Sequence, residues 1–157
     1  MKRALPLLLL VLACTTAAPP APSREAAVAA VLDGFHEAAA RADGAAYFAA
    51  FAPGAVFIGT DASERWGVAE FRAFAEPYFS KGRGWTYVPR DRHIEIDAAG
   101  RTAWFDEMLD NDAYGVCRGT GVLVRDGGSW KIAQYHLTIP VPNEIAKDVV
   151  KMIREGR

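Results

Sequence analysis

Apolar residues recur at helical spacing in four parts of the chain, and they predict four helices. The first helix follows Ser23, whose hydroxyl can cap free N–H groups, and it extends to about Arg41. A short helix over residues 45–51 follows Asp43, a third covers 68–79, and a terminal helix covers 143–154 with Asn143 as its cap. The apolar face of the first helix consists of Val28, Val31, Leu32, Phe35 and Ala39.

The pattern changes to β-rich runs after Gly84. Four long runs cover residues 85–97, 102–111, 116–125 and 130–139, and a short one covers 56–58. Turn signals rich in Gly, Asp and Ala separate the long runs, so the loops are short and an antiparallel meander is predicted. Helices first and long strands afterwards predict a single domain of the α+β class.

The first residues are typical of an export signal. Lys2 and Arg3 precede the apolar stretch 5–12, which is too short to span a bilayer as a helix. The stretch ends at Cys14 in a sequence similar to the lipobox of bacterial lipoproteins, in which the cysteine thiol carries the lipid. We therefore expect a signal peptide over 1–13, a lipidated Cys14 opening an Ala/Pro-rich tether over 14–23, and the domain over 24–157. An ordinary secretory signal with a chance cysteine is the alternative.

Composition excludes several classes of function. The net charge is −1 with no basic stripe, which argues against nucleic acid as a partner. Cys117 is the only cysteine besides Cys14, so a lipidated Cys14 leaves it unpaired, and a buried apolar role is expected for it. The histidine and carboxylate spacing resembles no metal site, and no cofactor is expected. Membrane contact is expected through the lipid anchor alone, at the bacterial envelope on its periplasmic or outer-membrane face.

Alternation along the long strands predicts which side chains point toward the helices. If Lys131 and Arg125 face solvent, the even-numbered residues of the last two strands face inward. The hairpin register then places His136 opposite either Thr120 or Arg118, and a short loop brings Asp106 opposite Arg118. The predicted inward set is Trp104, Asp106, Met108, Arg118, Thr120, Val122, Val124, Trp130, Ile132, Gln134, His136 and Thr138.

The polar members of this set are the candidate site residues. Asp106 and His136 are candidate catalytic groups, since buried charges need partners or access to water. Structural alternatives remain open: an ion pair between Asp106 and Arg118, a hydrogen-bonded core histidine for His136, and backbone bonding for Gln134. Trp66 could cover the pocket mouth or pack on the helix 68–79, and His36 and His93 are interpreted as structural or solvated. The candidate ligand-binding residues are Trp66, Trp104, Arg118, Thr120 and Gln134.

Three segments of the chain resemble the SnoaL-like branch of the nuclear transport factor 2-like superfamily. They are VLDGFHEAAARADGAAYFAAFAPGAVFIGTDASERW (31–66), AWFDEMLDN (103–111) and CRGTGVLVRDGGSWKIAQYHLTIPVPN (117–143). The resemblance implies a cone: a curved, mostly antiparallel sheet wraps around a long N-terminal helix, and a cavity lies at the open end. It also implies a homodimer. Relatives include polyketide cyclases, ketosteroid isomerases and scytalone dehydratase, but the isomerases' oxyanion pair is not recognisable here.

Three functions remain open at this point. The first is a pocket that binds a small, partly apolar molecule. The second is an enzyme of the proton-transfer type, such as an isomerase, cyclase or dehydratase, in which Asp106 or His136 acts as general base and the other residue or Arg118 stabilises developing negative charge. The third is a cone filled by its own side chains that acts in an envelope complex. A cavity volume separates the first from the third, since ligand pockets enclose about 300–1,000 Å³.

Overall fold

The computed structural model describes residues 23–156, so the predicted signal peptide, Cys14 and most of the tether lie outside the described residues. The four predicted helices are present. The long helix is α1 (Arg24–Ala40), and the Ser23 side chain accepts a hydrogen bond from the Ala26 amide at 3.1 Å, as predicted for a cap. The other helices are α2 (Gly44–Ala49), α3 (Val68–Phe79) and α4 (Ala146–Glu155). Asp43 caps α2, whereas Ile145 precedes α4 without a side-chain cap, so the prediction for Asn143 is wrong.

Six strands form one mixed sheet in the order β2-β1-β6-β5-β4-β3. The strands are β1 (Phe51–Ile58), β2 (Arg65–Gly67), β3 (Val88–Ile96), β4 (Thr102–Asn111), β5 (Gly115–Asp126) and β6 (Ser129–Thr138). Strands β3 to β6 form the predicted antiparallel meander, and β1 pairs with β6 in parallel. The sequence pattern did not show β2, which has only three residues and pairs with β1.

The inner face of the sheet carries the odd-numbered residues of β4 and β5, opposite to the prediction. Buried positions on these strands are Ala103, Phe105, Glu107, Leu109, Cys117, Gly119, Gly121 and Leu123. Helix α1 and the aromatic side chains of α2 and α3 cover this face and form the core with it. The inward orientation predicted for Trp104, Asp106, Met108, Arg118, Thr120, Val122 and Val124 is therefore wrong.

A β-bulge changes which residues of β6 point inward. Before the bulge the even-numbered side chains point inward, and after it the odd-numbered ones do. Ile132 pairs with Leu123 and Gln134 pairs with Val122, which leaves Ala133 as the extra residue. Trp130 and Ile132 are buried as predicted, but beyond the bulge Tyr135 and Leu137 are the buried residues. The predicted inward orientation of Gln134, His136 and Thr138 is therefore wrong as well.

Candidate functional site

A pocket of about 310 Å³ lies at the end of the sheet where β4 turns into β5. Its walls come from the end of β1 and the loop after it, from α3, from the segment before β3, and from the turn that contains Tyr114. Eight of its twelve lining residues are aromatic. The lining consists of Phe57, Gly59, Thr60, Glu64, Trp66, Phe71, Phe74, Tyr78, Trp85, Tyr87, Tyr114 and Leu137.

The aromatic wall of the pocket is a group of nearly parallel rings. The Phe57 and Phe71 centroids are 3.9 Å apart at an interplanar angle of 15°, and those of Trp66 and Phe74 are 4.8 Å apart at 22°. Such ring contacts contribute stabilising free energy in addition to that from the burial of apolar area. Phe74 and Tyr114 are nevertheless 45% and 57% exposed, so the mouth of the pocket presents apolar surface to solvent.

Glu64 is the one charged side chain in the lining, and the loop after β1 fixes its position. The Gly59 amide donates to the Glu64 carbonyl at 2.9 Å, and the Asp61 amide donates to Oε2 of the Glu64 side chain at 3.1 Å. The carboxylate occupies the space that a side chain at position 59 would need, which accounts for Gly59. Backbone groups of this loop therefore hold a half-buried carboxylate at the pocket mouth.

Deeper in the domain, a second cavity of about 20 Å³ shares Phe57, Trp85, Tyr87 and Leu137 with the pocket walls. Its remaining walls include His36 of α1 and Tyr135 of β6. A water molecule needs about 10–15 Å³, so this inner cavity has room for one water-sized group. Besides Tyr47 and Tyr87, the side chains that bring polar groups to the inner cavity are thus His36 and Tyr135.

Both of these side chains bond to Glu107, which is fully buried in β4. Nε2 of His36 lies 2.7 Å from Oε1 of Glu107, and the Tyr135 hydroxyl donates to the same oxygen at 3.1 Å. Burial alone would raise the pKa of Glu107, but the hydrogen bond and charge of His36, followed by those of Arg92, outweigh it and lower the pKa. An ionised carboxylate only accepts, so Nε2 carries the proton of His36 in this pair. Burial and the Glu107 charge raise the pKa of Tyr135, so its hydroxyl stays protonated.

Arg92 connects the same carboxylate to helix α1. Its Nε donates to Oε2 of Glu107 at 2.7 Å, while its Nη1 donates to Asp33 at 2.7 Å and to the Ala29 carbonyl at 3.3 Å. A register shift in β3 between Arg90 and His93 leaves two residues opposite Glu107, and this bulge turns Arg92 toward the helix. The network therefore joins α1, β3, β4 and β6 under the inner cavity.

Of the site residues predicted from the sequence, Trp66 alone lines the pocket. It also packs on α3, where its ring lies 5.5 Å from that of Phe71. The others lie on the outer face of the sheet: Trp104, Asp106, Arg118 and Gln134 are exposed, and Thr120 and His136 are half-buried. The interpretation of His36 as structural is consistent with its bond to Glu107, and His93 is exposed as expected.

The outer face does bring several of these residues together, although away from the pocket. Asp106 pairs with Thr120, and Thr120 pairs with His136, which is one of the two registers predicted. Arg118 lies opposite Met108, so the predicted pairing of Asp106 with Arg118 is wrong. Asp106 contacts Nδ1 of His93 at 3.2 Å instead. Asp106 and His136 therefore have no geometric link to a cavity.

The clustering of aromatic residues along the chain is the sequence signal for this pocket. Eight of the chain's 17 aromatic residues (8 Phe, 4 Trp and 5 Tyr) line the pocket, and seven of those eight lie between Phe57 and Tyr87. Glu107 was harder to find, because a glutamate flanked by Asp106 gives no sign of which carboxylate is buried. In residues 23–156, no group of three His, Cys, Asp or Glu side chains could hold a metal ion, and no helix is long and apolar enough to cross a membrane.

Solved structures with the same fold come from several bacteria. A nuclear transport factor 2-like protein of unknown function from Pseudomonas putida KT2440 matches with a TM-score of 0.64 at 18% identity, over 78% of this chain and 92% of that one. A protein from Streptomyces avermitilis, provisionally named a dehydratase of the same family, matches with a TM-score of 0.64 at 14% identity, over 76% and 97%. A provisionally named aromatic ring hydroxylase from Novosphingobium aromaticivorans matches with a TM-score of 0.61 at 18% identity, over 76% and 90%.

These structures share the fold at identities too low to indicate a common activity. A search of the curated proteins found no match. The model of one sequence family, described as the SnoaL-like domain, matches residues 28–142, which begin within α1 and extend past β6. The matched segment contains every residue of the pocket and of the buried network around Glu107. The chain therefore belongs to the SnoaL-like domain family.

Proposed function

We propose that this protein binds a small, partly apolar molecule in the aromatic pocket. The observation that carries the proposal is the pocket itself: about 310 Å³ of space lined by eight aromatic residues and a few polar groups. That volume is at the lower end of the range for ligand sites, about 300–1,000 Å³. A ligand seated there would cover the exposed rings of Phe74, Tyr78 and Tyr114. A cone filled by its own side chains would leave no such space.

A neutral fluorophore tests this proposal without knowledge of the natural ligand. N-phenyl-1-naphthylamine becomes fluorescent in apolar surroundings, and we expect it to bind with a saturable signal. Trp66→Ala removes a pocket wall and should weaken binding about tenfold, since burying a large aromatic contact contributes about 1.5–3 kcal/mol. Trp104→Ala is the matched control, because Trp104 is 49% exposed on the outer face. Absence of saturable binding, or equal effects of the two variants, would overturn the proposal.

Native mass spectrometry of the protein purified from its own envelope is the complementary measurement. A bound natural ligand adds a discrete mass that is lost on unfolding, and Trp66→Ala should reduce its occupancy while Trp104→Ala retains it.

We also propose that the protein is exported and held at the envelope through lipid on Cys14. The position of the start of α1 relative to the pocket bears on this anchor. Arg24, at the start of α1, packs beside Gly100 in the turn between β3 and β4. Tyr114 of the pocket lies in the turn between β4 and β5, at the opposite end of the ten-residue strand β4. The start of α1 and the pocket mouth therefore lie toward opposite ends of β4. Incorporation of labelled palmitate, lost in Cys14→Ser, tests the anchor.

A second candidate function is proton transfer at the inner cavity, and the placement of His36 favours it. His36 lines that cavity while Glu107 accepts the bond from its Nε2, and such a carboxylate fixes the tautomer and orientation of an imidazole. The reaction would exchange a carbon-bound proton of the ligand. Incubation in D₂O should then add deuterium to ligand later released from the protein, and His36→Asn should stop the exchange while His93→Asn does not. No mass gain in the wild-type protein would exclude this function.

A further inference from the structure

The charge in the lining of the pocket is negative only. Glu64 is the only charged lining residue, and the pocket is lined by no lysine, arginine or histidine. In the part of the chain that the structure describes, Glu64 forms no salt bridge, and its side chain accepts one hydrogen bond, from the Asp61 amide to Oε2. The carboxylate is thus held in place by backbone and keeps its charge unneutralised. This leaves a fixed negative charge beside apolar walls.

Neighbouring groups add to this negative potential. Asp61 lies in the same loop, and hydrogen bonds from the Ser63 hydroxyl and backbone lower its pKa, so it stays ionised. Burial, followed by the proximity of Cys117 and Tyr114, raises the pKa of Tyr87 to about 12, so its hydroxyl stays neutral at the pocket wall. Arg83 lies over the ring of the lining residue Tyr78 at 5.7 Å but is not itself part of the lining.

The walls suit the same sign of ligand charge. Aromatic faces attract cations electrostatically, and tryptophan, present twice here as Trp66 and Trp85, does so most strongly. Compact, strongly hydrated cations such as Na⁺ would lose water that an apolar wall cannot replace. A quaternary or tertiary ammonium is weakly hydrated, and its alkyl or aryl groups can pack against the rings. An anion would meet Glu64 with no basic side chain in the lining to balance it.

We propose that the ligand of this pocket is an organic cation, with its ammonium group beside Glu64 and its apolar groups among the aromatic side chains. The inference rests on the proposed function and adds the chemical class of the ligand. Glu64 acts as the selective group because its position is set before binding by the loop bonds at Gly59 and Asp61, so little ordering is required when the cation arrives.

The experiment compares two ligands of the same shape that differ in charge. Phenyltrimethylammonium and tert-butylbenzene have the same shape and differ in charge. Each is titrated into the full-length protein with N-phenyl-1-naphthylamine bound, and displacement of the fluorophore is measured. We expect the cation to bind about tenfold or more tightly than the neutral isostere, a preference of the size seen for partly desolvated cation–aromatic and ion-pair contacts. Glu64→Gln should remove most of that preference and leave the affinity for tert-butylbenzene unchanged.

Glu76→Gln is the matched control, because it makes the same charge change on α3 at an exposed residue outside the lining. It should leave both affinities as in the wild type. Equal affinities of the two isosteres, or an equal loss for both in Glu64→Gln, would overturn the cation assignment while the pocket still binds apolar molecules. If neither isostere nor the fluorophore binds, the proposed function itself fails.

Discussion

At the scale of single residues, Asp106 and Glu107 show how one position along a strand decides the role of a carboxylate. They are neighbours in β4, and alternation places them on opposite faces of the sheet. Glu107 is fully buried and bonded by His36, Arg92 and Tyr135, whereas Asp106 is exposed and contacts His93. Gly119 belongs to the same arrangement, because a side chain there would collide with the Tyr135 hydroxyl. The network makes Glu107 the more consequential residue for stability.

Replacing Glu107 should therefore destabilise the fold far more than replacing its neighbour. Glu107→Gln removes the buried charge that faces Arg92 and leaves Asp33 as the remaining acidic partner, and breaking a buried ion pair costs up to about 3–5 kcal/mol. Asp106→Asn changes an exposed, weakly coupled group and should stay within about 0.5 kcal/mol. Urea unfolding followed by circular dichroism measures both free energies of unfolding. Similar values for the two variants would contradict the central place given to the network.

The same carboxylate should make part of the stability dependent on pH. The pKa of Glu107 in the folded protein is lowered from its ordinary value of 4.5. Its contribution is therefore fully present above about pH 4.5 and is lost as the pH falls through the lowered pKa of the folded state. The difference in unfolding free energy between wild type and Glu107→Gln should be constant from pH 7 to about pH 5 and should narrow at lower pH. A difference that widens in acid would contradict this assignment.

At the scale of secondary structure, most elements could be predicted but their orientation could not. Helix α3 and strand β4 have the predicted bounds, 68–79 and 102–111, because periodicity and turn residues are local signals. A charged residue near the end of a strand does not mark the solvent face, because its long side chain reaches water from either face. Arg125 pairs with the buried Trp130, and its guanidinium lies over that ring at 5.4 Å. The bulge at Ala133 has no local signature, and it reverses the face of all later residues of β6.

The aromatic pocket was missed for a related reason. Its lining comes from three strands, a helix and three connecting segments that are distant in sequence, so no single periodic pattern identifies it. The clustering of aromatic residues between Phe57 and Tyr87 was visible, but their convergence depends on the curvature of the sheet around α1. Among the candidate ligand-binding residues only Trp66, which follows a polar loop, lies in this lining, and it also packs on α3 as the alternative held.

Replacing glycine by alanine should have opposite effects on stability at one position in the sheet and one position in the first helix. In β5, a side chain at Gly121 would collide with the Gln134 carbonyl and the Phe105 ring, so Gly121→Ala should cost about 1–3 kcal/mol through overpacking. In α1, Gly34 is exposed with nothing within 4 Å of the added carbon, so Gly34→Ala should stabilise the protein by about 0.5–1 kcal/mol. Thermal unfolding should thus shift in opposite directions. A shift to higher temperature for Gly121→Ala would refute the close approach of β5 and β6, whatever the shift for Gly34→Ala.

At the scale of the whole molecule, the sheet has an inner face that forms the pocket and an outer face that is left without a covering layer by the described residues. An apolar patch lies at the centre of the outer face, where Trp104 pairs with Val122 and Val124 lies two residues further along β5. Side chains of both charge signs surround it, among them Asp106 and Arg118, which suits a face that pairs with a copy of itself. We propose that the protein is a homodimer joined through this face.

Charge introduced at the centre of the outer face should therefore separate the two copies. Trp104→Glu replaces a side chain that is 49% exposed in the single chain, and central aromatic residues of interfaces typically contribute about 2 kcal/mol or more. Sedimentation equilibrium should show a dimer for the wild type and a dissociation constant raised about thirtyfold or more for the variant. Ile153→Glu is the matched control, because Ile153 is 70% exposed on α4, another apolar surface that the described residues leave uncovered. If Ile153→Glu alone dissociates the protein, the interface lies on α4. A monomeric wild type would exclude the dimer. The pocket is built from a single chain, so neither result would affect the proposal for its ligand.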